Sequence, residues 1–101
     1  MHSVEVEKVT AEKALDYLSL NHHNPRPQAN NIVNTWAREM EIGAWRLSND
    51  ALMFDLQGNL RNGQHRMKAL ISAAKNKPKL TLEFVVMRGC TEEERHRHMW
   101  G

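Results

Sequence analysis

The stretch from Gly58 to Leu70 (GNLRNGQHRMKAL) constrains most strongly how this chain can fold. It lies between an apolar run, Ala51 to Leu56, and a segment whose apolar residues recur at helical spacing, Met67 to Ala74. This order predicts a strand, a turn, a loop and then a helix from about Gln64 to Lys75. A glycine before a helix lets the backbone approach a ligand closely, and the free N–H groups and the dipole of the first turn favour an anion there.

The loop at the start of this helix is therefore a candidate phosphate site. Arginine can bind a phosphate through two N–H groups, and histidine can form a hydrogen bond or transfer a proton. The predicted phosphate- or nucleotide-binding residues are Arg61, Gly63, Gln64, His65 and Arg66. A side chain at Gly63 is expected to abolish ligand binding and to leave the fold largely intact. The alternative is a tight strand-to-helix turn with exposed cations.

The run Gly63-Gln64-His65-Arg66 resembles the Asp-Gly-Gln-His-Arg motif of the ParB/sulfiredoxin-like superfamily. The segment from Trp36 to Met40, followed by Gly43-Ala44-Trp45, is similar to a segment of small phage and mobile-element members of that group. The resemblance covers about residues 26 to 95. It implies a ParB N-terminal or sulfiredoxin-like α/β fold and a phosphate- or nucleotide-binding loop. The sequence does not name a cofactor, but the resemblance makes a nucleoside triphosphate with Mg²⁺ the one to test.

Three departures from the family pattern limit what the resemblance implies. Asn62 stands where the motif more often has Asp, and the missing carboxylate weakens the case for a metal-dependent NTPase or nuclease. Sulfiredoxins have their reactive cysteine where this chain has Gln64, so sulfiredoxin activity is not expected. The segment that closes over the nucleotide in ParB CTPases would follow Glu94-Arg95, and residues 1–101 are expected to form one domain without those C-terminal elements. The resemblance therefore still implies phosphate binding, but not the full nucleotide-dependent switch. It does not decide whether the protein is an enzyme.

Composition sets wider bounds on the class of protein. A length of 101 residues with 41% hydrophobic content predicts a single small α/β domain, in which a mixed sheet of about four strands carries packed helices. The loop at Gly63 is expected at the end of the sheet where ligands bind in α/β proteins. Because Cys90 is the single cysteine, an internal disulfide is excluded. No apolar run approaches the roughly 20 residues of a membrane helix, and the sequence does not begin with a signal-peptide pattern. We therefore expect a cytoplasmic protein without a membrane partner.

Charge is distributed unevenly although the net charge is only +2. The segment from Leu56 to Leu82 contains no acidic residue, and its cations form a candidate anion-binding surface. Beyond the arginines of the loop, the residues of this basic surface are Lys68, Lys75, Lys77 and Lys79. A solvated face is the alternative explanation for the last three.

The remaining segments give the other predicted elements. Ser3 to Val9 alternates between apolar and polar residues, which predicts a half-buried strand. Thr10 can cap a helix from Ala11 to Leu20, and this helix is expected to bury Ala14, Leu15 and Leu18. A second helix is predicted from Gln28 to Glu41, with Ile32 in the core. Trp45 and Leu47 are expected to begin a short extended segment. The most strongly β-forming run is Leu80 to Met87, which predicts a strand.

Two further features concern metals and partners. The pair His22-His23 and the set Cys90, His96 and His98 lack the ligand number and geometry of a metal site, so no metal is predicted. Thr91 to Glu94 forms a capping box that predicts a terminal helix. This helix would carry Met99 and Trp100, which we interpret as a contact with a partner or with a second copy of the chain.

Two hypotheses of different classes follow. The first is a nucleotide- or nucleic-acid-phosphate-binding protein of a phage or mobile element that holds phosphate in the Gly63 to Arg66 loop. The second is a small non-catalytic inhibitor, of the anti-defence or anti-CRISPR type, that binds a host nucleoprotein through its basic surface.

Overall fold

Capping and turn residues set the ends of most elements in this computed structural model, which describes residues 3–20, 30–47 and 50–91. The Thr10 hydroxyl accepts a hydrogen bond from the backbone N–H of Lys13 over 3.2 Å and so begins the first helix. In chain order the elements are β1 (Ser3–Thr10), α1 (Ala11–Leu18), α2 (Asn30–Glu41), β2 (Leu52–Asp55), β3 (Leu60–Asn62), α3 (Gln64–Ala74) and β4 (Thr81–Cys90). The predicted α/β class is confirmed.

The sheet is mixed, and its strand order is β1-β4-β2-β3. β1 pairs antiparallel with β4 along its whole length, from Ser3 opposite Arg88 to Thr10 opposite Thr81. β2 pairs parallel with β4 and antiparallel with β3, as expected for a hairpin that turns at Gly58. The two parallel strands, β2 and β4, therefore end on the same side of the sheet.

The main core lies between the sheet and the helices. Side chains that alternate along the strands, such as Leu52, Phe54, Phe84 and Val86, contribute one side of it, and α3 contributes the other with residues that include Met67 and Leu70. Trp45 packs edge to face on Trp36 with ring centroids 5.7 Å apart. Trp45 is thus a core anchor, and the extended segment predicted there does not join the sheet. The residues of this core include Val9, Ala14, Tyr17, Ala37, Met40, Leu52, Phe54, Leu60, Met67, Ala69, Leu70, Ala73, Phe84 and Val86.

A smaller apolar cluster occupies the opposite face of the sheet. Met53, Ala51 and Cys90 are buried there, and Val85 and Met87 pack against them. β2 therefore has buried side chains on both faces, as its continuous apolar run predicts.

Two predicted core positions are wrong. Leu15 is 56% exposed and Ile32 is also exposed, whereas Tyr17 is buried. The buried face of α1 is centred on Ala14 and Tyr17, because the Tyr17 hydroxyl is anchored by a hydrogen bond to Glu7 of the sheet. Leu15 therefore lies beside the buried face of α1 and is exposed.

Several predictions lie outside the described residues: those on the loop with His22 and His23, and those on the terminal helix with Met99 and Trp100. β4 itself continues to Cys90, past the end predicted from the sequence. In the described part of the chain, none of the helices has the length and apolarity needed to cross a membrane.

Candidate functional site

Gly63 joins β3 to α3 in a conformation that other residues rarely adopt. Its φ is +112°, and a Cβ atom added there would lie 2.4 Å from the Cδ2 atom of Leu52. Glycine is therefore required at this position because the backbone passes close to Leu52, the first residue of β2. The sequence correctly predicts an obstructed position, but a side chain there would collide with the protein's own core.

The Arg66 side chain enters the interior next to this glycine. Only 3% of the residue is exposed, and its guanidinium donates hydrogen bonds to the backbone carbonyl oxygens of Asp50 and Ala51. Burial lowers the pKa of Arg66, and the charge of Asp50 partly offsets this effect. The Nη1–H and Nη2–H groups expected to bind a phosphate thus form hydrogen bonds with the segment that leads into β2.

The neighbouring side chains of the loop are buried as well. The Asn62 amide donates a hydrogen bond to the same carbonyl oxygen of Ala51 over 3.2 Å, and Gln64 is 4% exposed. Among the described residues, Asn62 Oδ1, Gln64 Nε2 and Arg66 Nε are buried without a hydrogen-bond partner. Such atoms are costly to bury unpaired, so they are the polar groups of this loop with remaining capacity to bind a ligand or water.

The other two predicted phosphate ligands are partly exposed. Arg61 Nε lies 3.6 Å from Asp55 Oδ2, and His65 is half-buried in the first turn of α3. Asp55 also accepts hydrogen bonds from the backbone N–H groups of Gln57 and Asn59, each over 2.9 Å. Burial alone would raise the pKa of Asp55, but these hydrogen bonds lower it. Asp55 therefore organises the turn after β2.

The position of the loop in the sheet differs from the prediction. β3 is antiparallel to β2, and Asn62 pairs with Met53, so Gly63 lies beside the amino end of β2. Ligands of α/β sheets bind at the carboxyl ends of parallel strands. The prediction that Gly63 lies at the ligand-binding end of the sheet is therefore wrong.

The predicted basic surface divides into two parts. Arg61 and Arg66 contact the protein itself, and Lys68 is half-buried on α3. Lys75, Lys77 and Lys79 are exposed in the connection between α3 and β4, which we call the lysine turn. In the described ranges these three lysines form no ion pair, and the nearby Glu41 carboxylate accepts a hydrogen bond from Asn76 instead.

A group of polar side chains that sequence reasoning missed lies at the other end of β4. Arg88 Nη1 lies 2.5 Å from Glu7 Oε2, and its Nη2 donates a hydrogen bond to the Tyr17 hydroxyl over 3.0 Å. Lys13 Nζ lies 3.0 Å from the other oxygen of Glu7. Burial would raise the pKa of Glu7, but the hydrogen bonds from Arg88, Tyr17 and Lys13 together lower it to about 2.

Two of these residues, Tyr17 and Arg88, line a cleft of about 470 Å³ at the carboxyl ends of β2 and β4. We call it the carboxyl-end cleft. Its lining residues are Tyr17, Leu20, Phe54, Asp55, Leu56, Gly58, Arg88 and Gly89. One sequence signal for it exists: Gly89 interrupts a β-forming run, which often marks a bulge or a close approach to a ligand. The pairing of Glu7 with Arg88 across 81 positions has no such signal.

Within the described residues, no group of three His, Cys, Asp or Glu side chains is arranged to hold a metal ion. Comparison with known proteins gives no match: no family model, no curated protein and no solved structure matches this chain. The ParB/sulfiredoxin-like resemblance therefore remains a prediction that rests on the motif.

Proposed function

We propose that this protein is a small non-catalytic binding protein that contacts the phosphates of a nucleic acid, or of a nucleoprotein, through the lysine turn. One observation carries the proposal: Lys75, Lys77 and Lys79 are all exposed, and in the described ranges none of them has a counter-charge from the protein. The arginines of the same basic window are already bound to carbonyl or carboxylate oxygens.

The physical basis of this binding is electrostatic. A lysine without an ion-pair partner keeps its full charge available, and each phosphate that it neutralises releases condensed counterions into solution. Three such lysines within five positions match a run of neighbouring phosphates more closely than a pocket for one nucleotide. This arrangement supports binding to a polyanion over binding to a single small anion.

The state of the motif residues supports a function without catalysis. Arg66 is held by backbone carbonyl oxygens, and the oxygens of Asp55 are occupied by the turn that it organises. Asn62, where the family motif more often has Asp, donates its amide to Ala51. The side chains that would orient a phosphate or a metal are thus used to hold β2, β3 and α3 together.

Fluorescence anisotropy with a labelled DNA duplex tests the proposal. The triple variant K75Q/K77Q/K79Q should bind at least about tenfold more weakly than the unmodified chain, because three charge contacts are removed. The matched control is K8Q/R38Q/R46Q, which removes the same charge from exposed positions elsewhere. An equal loss of DNA affinity in both variants would mean that binding depends only on the net charge of the protein. That result would contradict a binding site at the lysine turn.

A second candidate function is phosphate or nucleotide binding by the Gly63 to Arg66 loop, as the family resemblance implies. The observation that favours it is the presence of two buried donors, Gln64 Nε2 and Arg66 Nε, without partners among the described residues. Calorimetry with CTP, ATP and GTP in the presence of Mg²⁺ tests this candidate. Saturable binding that weakens in His65→Ala would support it, and the absence of heat with all three nucleotides would contradict it.

A further inference from the structure

The carboxyl-end cleft has features of a ligand site that are independent of the lysine turn. It lies where β2 and β4, the two parallel strands, both end, whereas the lysine turn precedes the start of β4. In open α/β sheets, ligands bind outside the carboxyl ends of the strands. The volume of about 470 Å³ is that of a small-molecule site.

A change of register in β4 shapes this cleft. Met53 pairs with Met87 and Asp55 with Cys90, so β4 has one residue more than β2 between these pairs. Gly89 takes up the extra residue with a φ of +72°. As a result Cys90 packs with Met53 on the far face of the sheet, while Arg88 stays on the helix side beside Tyr17.

Arg88 is held in the cleft by its neighbours and keeps donors to spare. Its Nη1 contacts Glu7 and Glu5, and its Nη2 donates one hydrogen bond to Tyr17. Among the described residues these contacts leave the Nε–H and one of the two Nη2–H donors of Arg88, and the Nε and Nη2 atoms share one edge of the guanidinium. That edge is the one that binds a carboxylate through two parallel hydrogen bonds.

The remaining walls of the cleft are apolar. The Phe54 ring lies 5.3 Å from the Arg88 Cζ atom and is itself buried. Leu20 and Leu56 border the opening, and Leu56 is 66% exposed, which leaves apolar surface next to a charged group. A cleft with mostly apolar walls and a few fixed polar groups is typical of a small-molecule site.

We propose that the carboxyl-end cleft binds a small aromatic carboxylic acid. The carboxylate of the ligand pairs with the Nε and Nη2 edge of Arg88, and the ring packs between Phe54, Leu20 and Leu56. The charges of Arg88 and Lys13 balance those of Glu7 and Glu5, so the cluster as a whole does not repel an anion. Asp55, which also lines the cleft, is paired with Arg61.

The test compares two ligands of the same shape. Phenylacetate and phenylacetamide are titrated into ¹⁵N-labelled protein, and the amide signals of Leu20, Leu56, Gly58 and Gly89 are followed. We expect saturable shifts at these residues and at least about tenfold weaker binding of phenylacetamide, because the amide lacks the charge that strengthens both hydrogen bonds. Equal binding of the two ligands, or shifts that lie elsewhere in the molecule, would overturn the proposal.

Two variants locate the binding further. Arg88→Gln should remove the preference for the acid, and Leu56→Gln should weaken both ligands about fivefold, since it removes apolar wall from an exposed position. Leu47→Gln is the matched control because Leu47 is an exposed leucine that does not line the cleft. An unchanged acid preference in a folded Arg88→Gln protein would contradict the role given to Arg88. The ligand comparison in the unmodified chain stands even where a variant fails to fold.

Discussion

Arg66 Nη2 donates a hydrogen bond over 3.1 Å to the carbonyl oxygen of Ala51, a residue that lies 15 positions earlier in the chain. The bond fixes the start of α3 to the segment that enters β2. Because only 3% of Arg66 is exposed, the partners of its charged group must come largely from the protein itself. The arginine of the motif is therefore part of the folded core.

We expect Arg66→Ala to lower the free energy of unfolding by about 3 kcal/mol, because it removes hydrogen bonds from the carbonyl oxygens of Asp50 and Ala51 and opens a cavity. Urea unfolding followed by circular dichroism measures this change. Lys75→Ala is the matched control and should change stability by less than about 0.5 kcal/mol, since Lys75 is exposed. An Arg66→Ala protein as stable as this control would show that the hydrogen bonds to Asp50 and Ala51 do not stabilise the fold.

The second prediction corrects the sequence-based expectation for Gly63. We expect Gly63→Ala to destabilise the fold by about 3 kcal/mol, which combines backbone strain at positive φ with overpacking against Leu52. Gly43 separates the two effects, because its φ is +78° but a Cβ atom there would meet nothing within 4 Å. Gly43→Ala should cost only about 1 to 2 kcal/mol. Equal melting temperatures for the two variants would rule out the Leu52 collision.

The third prediction concerns acid stability and Glu7. The pKa of this carboxyl falls from its ordinary value of 4.5 to about 2 in the folded protein, so its ionised form stabilises the fold at neutral pH. A group with a lowered folded-state pKa loses its stabilising effect as the pH falls through that interval. We therefore expect the urea concentration at the midpoint of unfolding to decrease as the pH is lowered from about 4.5 to about 2. In Glu7→Gln this midpoint should depend less on pH over the same range.

Glu12→Gln is the control for this measurement because Glu12 is exposed on α1. It should retain the full acid dependence of the unmodified chain. If Glu7→Gln retained it as well, the acid dependence would have to come from other carboxyl groups, such as Asp55.

Local sequence patterns predicted most of the fold. The alternation from Ser3, the cap at Thr10, the helix after Gly63 and the apolar run at Leu52 all mark elements that the structure contains. These signals are local because capping, periodicity and turn chemistry act over a few residues. The α/β class and the mixed four-stranded sheet followed from them.

The site was less predictable because it depends on contacts between distant segments. The motif indicates that Arg66 needs an oxygen partner, but it does not distinguish a phosphate from the carbonyl oxygen of Ala51. Arg88 meets Glu7 only once β1 and β4 have paired. The short turn at Gly58 favours an antiparallel β3, but the end of the sheet at which Gly63 lies also depends on the parallel pairing of β2 with β4, which no local pattern encodes.

The salt dependence of DNA binding tests the proposed role of the lysine turn most directly. For a DNA duplex the logarithm of the binding constant falls with the logarithm of the salt concentration, with a slope of about −0.9 for each phosphate neutralised. We expect K75Q/K77Q/K79Q to reduce the magnitude of the slope by about 2 to 3, while K8Q/R38Q/R46Q leaves it nearly unchanged. A slope that is unchanged in the lysine-turn variant would contradict phosphate binding at these lysines.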